Sequence, residues 1–249
     1  MKSYAEKNIG LVTAHKLLDF SKCAWCFEKK YIDLIPDPTA DDKDYFVLGQ
    51  AFDDLVSEGQ KEFEKKYEVV KRRGAETEKV QLTEGMSKTL DSMGKEFQEN
   101  PLFHKQYKKK IFQCEISGLK LSGELDHFDE KERLIIDLKS CANIQNFDAY
   151  SYTFQMAFYQ FLVEECTGVR CKARLNVVDK YAYFSRSRCY EFGEQTLFAE
   201  RGRILRLLEQ YKVASDTGIF LPTKDSETLE SCPYYGLESH GRSKEIIYI

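Results

Sequence analysis

The chain has 249 residues, of which 42% are hydrophobic and 31% charged, with a formal net charge of −4. That length suits one sizeable domain, or one domain with a helical addition, and supplies enough apolar residues for a real core. The acidic balance excludes attraction to nucleic acid by bulk field, so any such contact must use local basic patches.

The opening, MKSYAEKNIGLVTAHKLLDF, has no apolar run long enough for a secretory h-region. Residues 13–33 carry helical spacing. An irregular acidic segment follows, from Ile35 to Asp44, broken by two prolines and clustered aspartates. Residues 45–69 and 82–99 again show helical spacing. Lys61 to Arg73 (KEFEKKYEVVKRR) and Lys105 to Lys110 (KQYKKK) are basic patches. Each reads as a solvated helix face or as a contact for a nucleic-acid backbone. Residues 111–117, 120–128 and 133–139 predict three successive strands, with turns at Ser117-Gly118 and around Glu130. Residues 145–166 predict an aromatic amphipathic helix. Strands are expected over 172–179 and 181–186, a long helix over 192–214, and a polar then aromatic tail from Pro222.

This order predicts an α/β fold: a central mixed sheet flanked by helices, with an N-terminal helical part. The whole of 1–249 reads as a single domain. Residues 1–110 form its mainly helical part, 111–186 its sheet and site helix, and 187–249 its last helix and tail. There is no internal repeat and no GxxxxGK[ST] loop, so nothing supports an intrinsic ATPase. No stretch approaches the ~18 consecutive apolar residues of a membrane span. A cytoplasmic location, in a bacterial or phage-infected cell, is the expectation. The eight cysteines read as reduced thiols rather than a disulfide scaffold.

The most informative stretch is Gly123-Glu124-Leu125-Asp126 followed by Leu134-Ile135-Ile136-Asp137-Leu138-Lys139-Ser140. Residues i and i+2 of a strand face the same way, so Asp137 and Lys139 look into one space. A short turn lets Asp126 lie beside them. Two carboxylates and an ammonium at a sheet surface suit a divalent metal and an activated water, the chemistry that breaks phosphodiester bonds. A plain strand-end ion pair is the competing reading. On the next helix Gln155 and Tyr159 stand one turn apart, able to bond a phosphate or stack on a base. Gly49 is followed four residues later by Asp53, a third carboxylate within reach of such a site. His15, His104, His127 and His240 pair with no serine or cysteine nucleophile. His127, next to Asp126, should point to the opposite face of its strand.

Together these pieces resemble the PD-(D/E)XK nuclease superfamily, in particular its RecB-like and phage RecE-like exonuclease branches. Ser21 through Tyr31 resembles the family's opening helix, and Gly49 to Asp53 its Gly-x-x-x-His motif. Gly123-x-x-Asp126 resembles the first catalytic acid motif, and Asp137-Leu138-Lys139-Ser140 the Asp-x-Lys-Thr/Ser motif. Tyr152, Gln155 and Tyr159 resemble the following Gln-x-x-x-Tyr helix. The resemblance implies a restriction-endonuclease-like core and a metal-dependent DNA nuclease, most readily an exonuclease of recombination, repair or phage replication. It implies that Asp126 and Asp137 ligate Mg²⁺ or Mn²⁺ together with the Leu138 carbonyl, and that Asp53 joins them in place of the family histidine. Lys139 would position or deprotonate the attacking water. Gln155 and Tyr159 would orient the lysine or the DNA strand, and Ser140 would meet the substrate.

The implied partner is DNA, through double- or single-stranded ends, with a recombination or single-strand-annealing protein as a further one. A homo-oligomer is compatible with this reading, and no membrane is involved. Some relatives hold an iron–sulfur cluster with four cysteines. Here Cys23 and Cys26 form a CxxC but Cys232 stands alone, so no such cluster is expected. A zinc site from Cys23, Cys26, Cys232 and His240 is conceivable, but buried free thiols are the better expectation. Two rivals remain at this point: a non-catalytic nucleic-acid-binding module on the same fold, and a CRISPR-adaptation or restriction-type endonuclease.

Overall fold

The computed structural model describes residues 4–35, 44–71, 77–104 and 107–221. The acidic segment after Ile35, Arg72 and Arg73, Lys105 and Gln106, and the tail with Cys232 and His240 lie outside the described residues. Four helices come first: α1 (Tyr4–Lys7), α2 (Ala14–Lys22), α3 (Ala24–Tyr31) and α4 (Asp44–Glu58). Then come α5 (Gln60–Lys66), β1 (Tyr67–Val70), β2 (Val80–Thr83) and α6 (Glu84–Glu99). The central strands are β3 (Lys110–Ile116), β4 (Leu119–Leu125), β5 (His127–Asp129) and β6 (Leu134–Cys141). Two single 3₁₀ turns lead into α7 (Thr153–Thr167), followed by β7 (Lys172–Asp179), β8 (Ser187–Glu191) and α8 (Glu194–Thr217).

The expected mixed sheet is present. Its order is β5-β6-β7-β8, with β6 and β7 parallel and both edge pairs antiparallel. The parallel pair needs a long crossover, and α7 supplies it. The β3-β4 hairpin turns through Ser117 and Gly118, at φ of 52° and 78°, as two left-handed residues in a tight hairpin require. It runs straight on into β5, with only Asp126 between β4 and β5.

The two faces of β6 bury into different cores. Ile135 joins a cluster built on α2, α3, α7, α8 and the β3-β4 hairpin. Leu134, Ile136 and Leu138 join a second cluster under α4 and α6. The period-2 alternation of a strand thus becomes a partition between two helical layers. Helix α7 lies between sheet and helices. Every residue from Thr153 to Val163 is buried, so the helix is apolar nearly all round rather than amphipathic.

Five local expectations are corrected. The 13–33 helix breaks at Cys23, which is extended (φ −159°, ψ 100°) and caps α3, its Sγ accepting the Cys26 N–H at 3.1 Å. That cap brings the two sulfurs together, and Cys23 and Cys26 are joined as a disulfide rather than standing as free thiols. The 45–69 helix ends early, because Tyr67 Oη is drawn 2.9 Å from buried Asp54 and the β-branched Val69 and Val70 go into β1. Its partner β2 takes Leu82 and Thr83, so the helix expected over 82–99 begins at Glu84. The strand expected over 181–186 lies at 187–191 instead. Buried Asp179 accepts the Arg186 N–H at 2.7 Å and its Nε at 2.9 Å, closing residues 180–186 into a turn.

The basic patches also resolve into parts. On α5, Lys65 pairs with Glu62 at 2.6 Å and Lys66 with Glu58 at 2.7 Å, as a solvated helix face would. Lys109, by contrast, sits in extended chain before β3 and turns inward. Among the described residues no helix is long and apolar enough to cross a membrane.

The packing makes a quantitative expectation. Phe158 is fully buried in the first cluster while Tyr150 is 82% exposed. Phe158→Ala should cost about 3–5 kcal/mol in denaturant unfolding, and Tyr150→Ala less than about 0.5 kcal/mol. Equal effects would contradict the layer assignment.

Candidate active site

Asp126 occupies the single-residue break between β4 and β5. Its Oδ2 accepts the backbone N–H of Leu138 at 2.7 Å, which ties that break to β6. Asp137 and Lys139, two apart on β6, project from the same face as Ile135, toward α7. Asp137 is only 2% exposed. Its Oδ1 accepts a hydrogen bond from Gln155 Nε2 at 3.2 Å, and its Oδ2 lies 2.7 Å from Lys139 Nζ. That second oxygen receives no well-directed hydrogen bond, only the ion pair. The Gln155 amide also donates to Tyr159 Oη at 2.9 Å, so both of its N–H bonds are used within the site.

Such close packing needs Gly123. A Cβ there would lie 2.9 Å from Leu162 Cδ2 and 3.1 Å from the Tyr159 ring. The bare backbone lets α7 approach β4 and carry Gln155 over Asp137. A similar approach occurs on α4. A Cβ at Gly49 would lie 3.0 Å from Ser140 Oγ and 3.4 Å from Lys180 Nζ.

The charges are strongly coupled. Burial, and then Asp137, push the Asp126 carboxyl up to about 7, against the pull of Lys139, the Leu138 N–H and Lys109. Burial raises Asp137 as well, with Lys139 opposing. Burial alone would lower Lys139, but Asp137 and Asp126 outweigh it and hold the ammonium. Asp53 is raised by burial and by Asp126, while Lys109 opposes through a 2.5 Å ion pair. Three carboxylates therefore face two ammonium groups in a poorly hydrated place. An added cation relieves that imbalance, and oxygen donors suit a hard divalent ion. The donors such an ion would use are the oxygen of Asp126 not bonded to Leu138 and the Asp137 carboxylate, whose Oδ2 now meets Lys139.

An open cleft of about 310 Å³ gives access to this constellation. Asp53, Asp126, Leu138, Lys139 and Ser140 line it, together with Tyr45, Phe46, Gly49, Gln50 and Lys180. Asp137, Gln155 and Tyr159 lie behind it, buried. The structure thus brings the sequence-derived residues together, but it sets Gln155 and Tyr159 beneath the site rather than at its surface.

Tyr45, Phe46 and Lys180 carry no signal in the sequence, and Lys109 shows there only as one member of the basic patch at 105–110. Only the pairing of β7 beside β6 places Lys180 next to Ser140, and no local pattern announces it. The one compact trio of His, Asp, Glu or Cys donors among the described residues is elsewhere. His104, His127 and Asp129 hold ligand atoms within 4.8 Å of one another, and none of them lines the cleft. His127 Nδ1 there accepts the Lys108 N–H at 3.3 Å.

A family model described as a PDDEXK-like domain of unknown function (DUF3799) matches residues 15–233. The chain belongs to this family. A solved structure from Eubacterium rectale bearing the name "putative exonuclease" is similar over 98% of this chain and 93% of its own, at 17% identity and a TM-score of 0.69. That likeness shows a shared restriction-endonuclease-like fold. A second solved structure, SSO0001, overlaps 51% of this chain and 56% of its own, at 16% identity and a TM-score of 0.30. No curated protein matches the chain. Membership of the PDDEXK-like family supports a nuclease.

The raised Asp126 makes a sign-definite expectation. Between roughly pH 4 and 7 the folded PDDEXK-like domain keeps a proton that unfolded Asp126 has released. Raising the pH through that window therefore lowers stability. Asp126→Asn, which keeps an acceptor for the Leu138 N–H, should melt on the order of 5 °C higher than wild type at pH 8 in EDTA. The difference should vanish near pH 4. A variant that melts lower than wild type at pH 8 would refute the coupling.

Proposed function

We propose that the protein is a metal-dependent DNA nuclease, an exonuclease acting on strand ends. The observation that carries this reading is the buried Asp137–Lys139 pair beside Asp126 at the floor of an open cleft. Family membership and the shared fold support it. A structural ion pair has no need of a second, mutually repelling carboxylate, and burying one is costly.

In this reading Asp126, Asp137 and the Leu138 carbonyl would hold Mg²⁺ or Mn²⁺, and Asp53, now paired with Lys109, would be a further ligand. Such an ion, when bound, would supply Lewis acidity and activate a water. Lys139 is an ammonium in the resting site. It donates to the attacking water and to a non-bridging phosphate oxygen, and so steadies the negative charge that grows at phosphorus. Gln155 is a positioning residue, fixing the Asp137 carboxylate while Tyr159 fixes Gln155. Ser140, at the cleft surface, donates to the substrate backbone. The grip on DNA should weaken steeply with salt, as phosphate contacts do. Roles in recombination, repair or phage replication suit such an activity, alongside a single-strand-annealing or recombination partner.

Asp137→Ala and Lys139→Ala should each lower cleavage of end-labelled linear DNA by at least about 10²-fold. Circular dichroism should remain that of the wild type, and wild-type turnover in either variant would overturn the site. Closed circular DNA should stay intact under the same Mg²⁺ or Mn²⁺, since its nicking would indicate an endonuclease. Tight binding without any cleavage would indicate a non-catalytic module.

A further inference from the structure

Beside the acid–lysine centre the cleft has a second half, which the catalytic chemistry leaves unused. The first turn of α4 sets Tyr45 and Phe46 at its mouth, 50% and 55% exposed, their rings 4.1 Å apart. Large aromatic rings left this open at a concave site invite a planar ligand. Lys180 follows β7 directly, and its N–H bonds the Cys141 carbonyl at 2.8 Å, holding it to the end of β6. Its Nζ donates to the Tyr45 carbonyl at 2.7 Å and lies 4.3 Å from the centre of the Tyr45 ring. Among the described residues no carboxylate pairs with it. The absent side chain of Gly49 lets this ammonium and the Ser140 hydroxyl face one spot, next in sequence to Lys139. A cation and a hydroxyl donor side by side suit a phosphate oxygen.

We propose that Lys180, Ser140 and the Tyr45–Phe46 pair form a nucleotide subsite that takes one unpaired nucleotide next to the scissile bond. The phosphate sits on Lys180 Nζ and Ser140 Oγ above Gly49, and the base stacks on the aromatic pair. The base must be unpaired. Within a duplex both of its faces are covered by neighbours, while every free base offers a face to an aromatic ring. The inference rests on the proposed nuclease reading and narrows its substrate to single strands or frayed ends.

The test measures binding, so it stands apart from cleavage. A fluorescein-labelled oligothymidylate and a hairpin-capped duplex with no free end are titrated by anisotropy, with Ca²⁺ as the divalent ion. Lys180→Ala, and separately Tyr45→Ala with Phe46→Ala, should each weaken the single strand about tenfold and the capped duplex less than about twofold. Lys180→Ala should also reduce the slope of log K against log salt by about 0.7, while the aromatic variant leaves that slope unchanged. Lys180→Arg should restore both affinity and slope. A merely structural role would lower affinity without moving the slope. Unchanged single-strand affinity, or equal losses on both probes in correctly folded variants, would overturn the subsite. Absence of cleavage by the wild type in Mg²⁺ and Mn²⁺ would overturn the nuclease reading and leave this binding contrast to be judged on its own result.

Discussion

The structure turns on an ion pair between a buried acid, Asp137, and a lysine at the cleft wall, Lys139. Asp137 lies under α7, and taking its charge from water costs several kcal/mol before the attraction of Lys139 is counted. Such a pair is a poor means of holding a fold together. It persists because the surroundings over-determine it. Gln155 reaches down to one carboxylate oxygen, Tyr159 steadies Gln155, and Gly123 is bare so that their helix can come close enough. Asp126, pinned to the Leu138 N–H, then adds a charge that the site resists. A site arranged to resist its own charge is ready for a cation.

The two cores explain how so much charge can sit so deep. On β6 the residues on either side of Asp137, Ile136 and Leu138, point into the layer under α4 and α6. Ile135 points into the layer under α7. Both faces of the strand are therefore clamped by apolar packing, and the acid and the lysine have little freedom to swing away. The same arrangement brings α4 across the strand ends. From one helix come Asp53 for the acidic centre, Gly49 for close approach to Ser140, and Tyr45 with Phe46 for the mouth. Lys109 and Lys180 arrive from opposite ends of the chain's sheet region and partition the cleft. One offsets Asp53, and the other stays clear of any described carboxylate.

Much of this was legible in the residues alone. The apolar alternation of Leu134 to Leu138, the glycine-punctuated hairpin and the order of acid, acid-x-lysine, glutamine and tyrosine are local patterns. Local patterns survive translation into structure because strand and helix periods are properties of the backbone. They sufficed for the mixed α/β class, for most elements and for the convergence of Asp126, Asp137 and Lys139. What depends on distant partners did not show. Tyr67 to Val70 continues a helical spacing, and only its bond to Asp54 and its pairing with β2 turn it into a strand. Cys23 reads as mid-helix until its own sulfur caps the next helix. The burial of Gln155 and Tyr159 follows from the depth to which α7 sinks between sheet and helices, and Lys180 enters the cleft only because β7 lies parallel to β6. Sequence by itself determined which acids and which lysine stand together, since spacing along one strand dictates which side chains share a face. Tertiary structure alone decided which of those groups meet solvent and which only hold their neighbours, because burial is set by what packs on top.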